Sequence, residues 1–186
     1  MNSQTKSFLQ ALKKEGVRRH IPNISEYTAK FLQGLIRFKK PRCILEIGTA
    51  NGYSTLSMAS ALQKNGSGKI VSYEISEVAH LEAVKNTKKM GLENFVILRL
   101  GDVLEKTPRE KFNLIFIDGH KRKYAEFFAL AKKVLQPNGL IVVDDVIKFR
   151  EKTKSFYAML EKNKNWERII IPVDGDDGVM LLWQSQ

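Results

Sequence analysis

CILEIGTANGYSTLSMA, residues 43–59, decides how the rest of the chain is read. It begins as an apolar, strand-like run, breaks at Gly48 and Gly52, and resumes with small residues at helical spacing. A strand that passes into a helix through glycine-spaced backbone gathers unpaired N–H groups and the positive end of a helix dipole at one point. Such a turn is built to hold a ligand. Its two glycines stand four apart with Ala50 between them, whereas a dinucleotide fingerprint runs G-x-G-x-x-G. The spacing therefore speaks against a nicotinamide oxidoreductase and suits an amino-acid or nucleoside portion better than a pyrophosphate.

Working outward, strand and helix alternate. Two helical patterns precede the turn, KSFLQALKKEGV and ISEYTAKFLQGLIRF, with Asn23 or Ser25 as N-cap of the second. After it come KIVSYEI, a helix through VAHLEAVKNTKKM, then NFVILRL, FNLIFID, a helix through YAEFFALAKKVL, and GLIVVDD. Such alternation predicts a parallel sheet covered on both faces. The end differs: a helix through FREKTKSFYAMLEKN, then WERIIIPV and VMLLWQ joined by the turn-rich DGDDG. The expected fold is α/β, a doubly wound seven-stranded sheet whose last strand is antiparallel, with its ligand crevice at the carboxyl ends of the strands.

The chain of 186 residues is long enough for one full core. We divide it into a basic N-terminal helical segment, 1–23, and a domain spanning 24–186. No run approaches the 18 or so apolar residues of a membrane span, and MNSQTKSFLQ lacks the apolar centre of a signal peptide. The lone cysteine, Cys43, cannot form an internal disulfide, so the expected location is the reducing cytoplasm. The net charge of +11 is uneven: residues 1–42 carry ten Lys/Arg against two acids, a surplus of eight. That asymmetry points to an anionic partner, nucleic acid first, or to a solvated basic face.

In a parallel sheet the residues that end the strands share one crevice. Here they are Glu46-Ile47-Gly48, Glu74, Gly101-Asp102, Asp118 and Asp144-Asp145, more acids than loops need. Glu74 ends the strand after the glycine turn, where a carboxylate accepts from the hydroxyls of a ribose. Asp118 and Asp144 end strands expected to be neighbours, so they can converge on one cation, and all-oxygen ligation selects a hard ion such as Mg²⁺.

Taken in order, ILEIGTANGYSTLSMA, Glu74, LRLGD, FIDGHKRKY and GLIVVDDV resemble the cation-dependent O-methyltransferases that use S-adenosylmethionine, a group with catechol, caffeoyl-CoA and bacterial tRNA hydroxyuridine enzymes. The resemblance runs from about Ile24 to the terminal hairpin and implies a class I methyltransferase, Rossmann-like fold. It also implies roles. Glu46, Gly48, Asn51 and Ser54 look like the loop for the methionine portion of the cofactor, and Glu74 like the ribose ligand. Gly101, Asp102 and Val103 look like the adenine edge, and Ile24 like an apolar contact near the methyl group. Asp118 serves cofactor, cation and catalysis together, and Lys121 looks like the general base, its pKa lowered by desolvation and the cation.

One departure stands out. The family pattern has Asp-Asn at the end of the fifth strand, and this chain has Asp144-Asp145, a third carboxylate beside the candidate metal ligands. The chain is also short at its N-terminus relative to family members, where longer helical segments shape the substrate pocket and a homodimer. The acceptor stays open between a small catechol-like phenol and a hydroxylated tRNA base, the latter using the basic residues 1–42 as a docking surface. A non-catalytic RNA-binding module on the same fold is the alternative of another class.

Overall fold

A computed structural model describes residues 3–185. Two helices come first, α1 (Ser3–Arg18) and α2 (Glu26–Lys39), followed by β1 (Cys43–Ile47), α3 (Tyr53–Asn65), β2 (Lys69–Glu74), α4 (Glu77–Met90) and β3 (Val96–Leu100). The second half runs β4 (Phe112–Ile117), α5 (Tyr124–Val134), β5 (Leu135–Val143), α6 (Lys154–Lys162), β6 (Trp166–Pro172) and β7 (Gly178–Gln184). The strands form one sheet in the order β3-β2-β1-β4-β5-β7-β6. Pairing is parallel from β3 through β5, while β7 runs antiparallel to both β5 and β6. All seven expected strands are present, and the last is the reversed one.

The period of two in β1 sorts its side chains between two cores. Leu45 and Ile47 join Ile115, Ile117, Phe128 and Phe156 on the face covered by α5 and α6. Ile44 joins Leu114, Phe116 and Val142 on the face covered by α1, α2 and α3. The N-terminal helix is part of that second core: Leu9 and Leu12 are buried against it, each worth roughly 2 kcal/mol of transfer free energy. Of the two proposed N-caps for α2, Ser25 does the work, accepting from the Thr28 N–H at 3.0 Å.

One feature of β5 was not visible in the alternation. Its pairing with β4 passes from Phe112↔Leu135 to Leu114↔Leu140, so Gln136–Gly139 bulge outward, with Asn138 at φ 59°. Among the described residues no helix is long and apolar enough to cross a membrane.

Candidate active site

Reversal of strand order beside β1 leaves a crevice at the carboxyl ends of the strands, and a cavity of about 1130 Å³ lies there. Its first wall is the turn between β1 and α3. Gly48 and Gly52 have φ of 101° and 89°, and Ala50 also sits at positive φ; the N–H groups of Gly48 and Gly52 donate to the carbonyls of Tyr73 and Thr49. Glu74, at the end of β2, clamps this turn: its Oε2 accepts from the N–H groups of Thr49 at 3.2 Å and Ala50 at 2.8 Å, and its Oε1 from Ser76 at 2.8 Å.

Asn51 and Ser54 line the cavity from the same turn. The Asn51 side chain is fully buried, and its Nδ2 has no hydrogen-bond partner, an orphan donor of the kind a bound acceptor satisfies. Glu46 lies deeper. It is fully enclosed and its carboxylate accepts from the hydroxyls of Ser54 at 2.5 Å, Thr55 at 2.5 Å and Ser72 at 2.6 Å. Burial pushes its pKa up to about 7 against the pull of those three hydroxyls. Glu46 thus acts on the turn from beneath it.

Gly101, Asp102 and Val103 form the far wall with Glu74 and Ile75. Asp102 caps its own loop through the Leu104 N–H at 2.9 Å and pairs with Lys123 at 2.9 Å. His120 borders this wall too. Ile24, buried, closes the cavity from the α1–α2 connection. Sequence reading passed over the residue that holds Ile24: Lys13 of α1, whose Nζ donates to the carbonyls of Asn23 at 2.9 Å and Ile24 at 2.7 Å. A lysine on an amphipathic helix gives no sign from spacing alone that it turns inward.

The remaining wall is acidic. Asp118 follows β4 and Asp144-Asp145 follow β5, and parallel pairing of those strands brings the three together: one oxygen from each lies within 4.8 Å of the others. Lys121 sits among them, 2.7 Å from Asp118 and 2.5 Å from Asp145. Burial raises the pKa of Asp144 well above the carboxylate range, and the charges of Asp118 and Asp145 raise it further. Burial likewise raises Asp145, to about 6, with Lys121 opposing. Three crowded carboxyl groups surround one ammonium, and the all-oxygen donor set fits a hard divalent cation.

Around Lys121 the protein's own charges act against the expected lowering of its pKa. Burial acts to lower its pKa, but Asp118, the Tyr124 hydroxyl and Asp145 outweigh burial and hold the ammonium above the usual lysine value. The third carboxylate, Asp145, pairs with the amine and adds to that hold. The acidic turn after β6 also borders the cavity, through Asp174, Asp176 and Asp177.

The surplus charge of residues 1–42 is divided in space. Lys13 and Arg19 face the cavity, and Arg19 reaches across to Glu82 of α4 with two bonds of 2.8 and 2.9 Å. Arg37, Lys39, Lys40 and Arg42 lie at the far end of α2, beside the start of β1, and Lys39 bonds the carbonyl of Asn138 there.

A doubly wound sheet with a reversed last strand, and a glycine turn and acidic residue facing one crevice, define a class I methyltransferase fold. The sequence profile described as O-methyltransferase matches residues 1–181, and the chain belongs to that family. It is 37% identical over 132 residues to a catechol O-methyltransferase of Niastella koreensis, covering 68% of this chain and 59% of that protein. It is 25% identical to a protein of Dictyostelium discoideum named probable caffeoyl-CoA O-methyltransferase 2, over 72% of this chain and 60% of the relative. The chain thus spans about six-tenths of the length of these curated relatives. An O-methyltransferase from Bacillus cereus, solved in complex with SAH, superposes with a TM-score of 0.84 at 27% identity, covering 96% of this chain and 91% of the other.

Proposed function

We propose that the protein is an S-adenosylmethionine-dependent O-methyltransferase that acts in the cytoplasm on a small catechol-like molecule, with a divalent cation such as Mg²⁺ assisting. The observation that carries this reading is the meeting of two sites in one cavity: the Gly48–Ser54 turn with Glu74 on one side, and Asp118, Asp144, Asp145 and Lys121 on the other. The relative solved with SAH and the relative named for catechol support the cofactor and the acceptor class.

The turn and the orphan Asn51 amide suit the amino-acid end of the cofactor, and Glu74 suits its ribose. Asp118, Asp144 and Asp145 would hold the cation, which when bound supplies the positive charge that makes a chelating hydroxyl acidic. Lys121, held as an ammonium while Asp118 and Asp145 pair with it, would take the hydroxyl proton once those carboxylates are engaged by the cation. The acceptor oxygen forms a bond to the methyl carbon as the carbon–sulfur bond breaks, its electron pair going to sulfur. Methyl ether and S-adenosylhomocysteine result. The protein's task beyond proton removal is to hold oxygen and methyl in line.

An RNA acceptor draws less support, because four of the ten cations of residues 1–42 lie at the end of the strands away from the cavity. Calorimetry tests the assignment. S-adenosylhomocysteine should bind without metal, and a catechol only with Mg²⁺ present. Catechol binding that is equal with chelator would remove the cation from the proposal.

A further inference from the structure

The Lys121 ammonium has three partners: Asp118 Oδ1 at 2.7 Å, Asp145 Oδ2 at 2.5 Å and the Tyr124 hydroxyl at 2.9 Å. An ammonium carries three N–H donors, so these three use all of them. Two of the partners are carboxylates of the acidic cluster and belong to whatever that cluster binds. Tyr124 differs in kind.

Its hydroxyl is fully buried and bonds the backbone carbonyl of Asp144 at 3.1 Å. A carbonyl only accepts, so the Tyr124 hydrogen points at Asp144 and an oxygen lone pair is left facing Lys121. The ring itself is wedged, with Phe127 at 6.5 Å and Phe156 edge-on at 6.0 Å between centroids. The hydroxyl is a fixed point in a site whose other Lys121 partners are ligand groups.

We propose that Tyr124 is the positioning residue for Lys121: its hydroxyl holds one N–H of the lysine and keeps the remaining face of the nitrogen turned toward the acidic cluster, where the acceptor hydroxyl arrives. This rests on the reading of Lys121 as the base. The two carboxylates that hold Lys121 as an ammonium are the groups a cation would engage, and released from them the lysine would be a neutral amine with two N–H bonds and one lone pair. With one N–H given to Tyr124, the lone pair is kept within the arc that faces Asp118 and Asp145, and it receives the proton that leaves the acceptor oxygen. The electrons of that O–H bond stay on oxygen, and the ammonium later returns its proton to water. Tyr124 stands in FIDGHKRKY three residues after Lys121, one helical turn on, and that spacing is the signal the sequence offers.

Tyr124→Phe removes the hydroxyl and keeps the ring and its packing. In a catechol methylation assay it should lower kcat about tenfold, the size of one lost orienting hydrogen bond, while the KM values for acceptor and cofactor stay within about twofold. In a Lys121→Met background the same substitution should change kcat by less than about twofold, since the residue it orients is gone. A second readout needs neither metal nor turnover. In urea unfolding of the metal-free protein, the effect of Tyr124→Phe on the midpoint should be smaller in the Lys121→Met background than in the parent. Additive midpoints, or an equal loss of kcat in both backgrounds, would reduce Tyr124 to a packing residue and overturn the proposal. Full turnover by Lys121→Met would instead remove the base, and the proposal with it.

Discussion

Gly48 and Asp118 touch through backbone alone: a Cβ built on Gly48 would come within 2.4 Å of the Asp118 carbonyl oxygen. The glycine turn and the acidic cluster are therefore one mechanical unit, stitched also by the Asp118 N–H donating to the Ile47 carbonyl at 3.0 Å. Gly48→Ala faces both this clash and a φ of 101°. We expect it to lose about 3 kcal/mol or more of stability and to weaken S-adenosylhomocysteine and Mg²⁺ binding together, read by urea unfolding and calorimetry. Loss of one ligand with full retention of the other would separate the two sites.

Glu74 clamps the turn as well as lining the cavity, which its sequence position did not reveal. Because it clamps the Thr49 and Ala50 N–H groups, Glu74→Ala should lower the melting temperature as well as cofactor affinity. Each effect should reach about 1.5 to 3 kcal/mol, the range for hydrogen bonds to a charged group. An unchanged affinity for S-adenosylhomocysteine would take Glu74 off the ribose and leave it the clamp alone.

Glu46 sets a pH dependence of stability. Its folded pKa of about 7 stands above the ordinary value of 4.5, so between those values the folded protein keeps a proton that the unfolded chain gives up. Stability from this group is fully present below pH 4.5, falls as pH rises, and levels off above about pH 7. The gap corresponds to about 3 kcal/mol. Glu46→Gln should flatten this part of the curve, so the variant's stability relative to the parent rises from pH 5 to pH 8. Parallel curves over that range would contradict the buried, protonatable state.

Asp144→Asn tests the acidic cluster. Burial and two neighbouring carboxylates oppose the charged form of Asp144, so the neutral amide should raise the melting temperature of the metal-free protein at pH 8. The same variant should lose most of the stabilisation that millimolar Mg²⁺ gives the parent. A variant less stable without metal, or equally stabilised by it, would mean that Asp144 serves as a structural acceptor.

The fold was legible because β1 to β5 are short apolar runs closed by glycine or acid, most of them separated by helical spacing, and DGDDG announced the terminal hairpin. The convergence of Asp118 with Asp144 was legible too, once β4 and β5 were taken as neighbours. What the sequence hid was the direction of side chains that cross between elements. Thr55 and Ser72 look like ordinary small polar residues, yet with Ser54 they surround Glu46. Lys13 of α1 and Arg19 just after it belong to a basic segment whose charge suggested a surface, and each turns to a partner inside or across the crevice. Charge counting along the chain could not show that α2 carries its last cations to the opposite end of the sheet.

The most direct measurement is transfer of labelled methyl from S-adenosylmethionine to a catechol, with a monophenol of the same size beside it, each in Mg²⁺ and in chelator. We predict label in the catechol alone, abolished by chelator and by Asp118→Ala. Equal labelling with and without chelator, or none in any acceptor while the cofactor binds, would contradict cation-assisted methylation of a chelating hydroxyl.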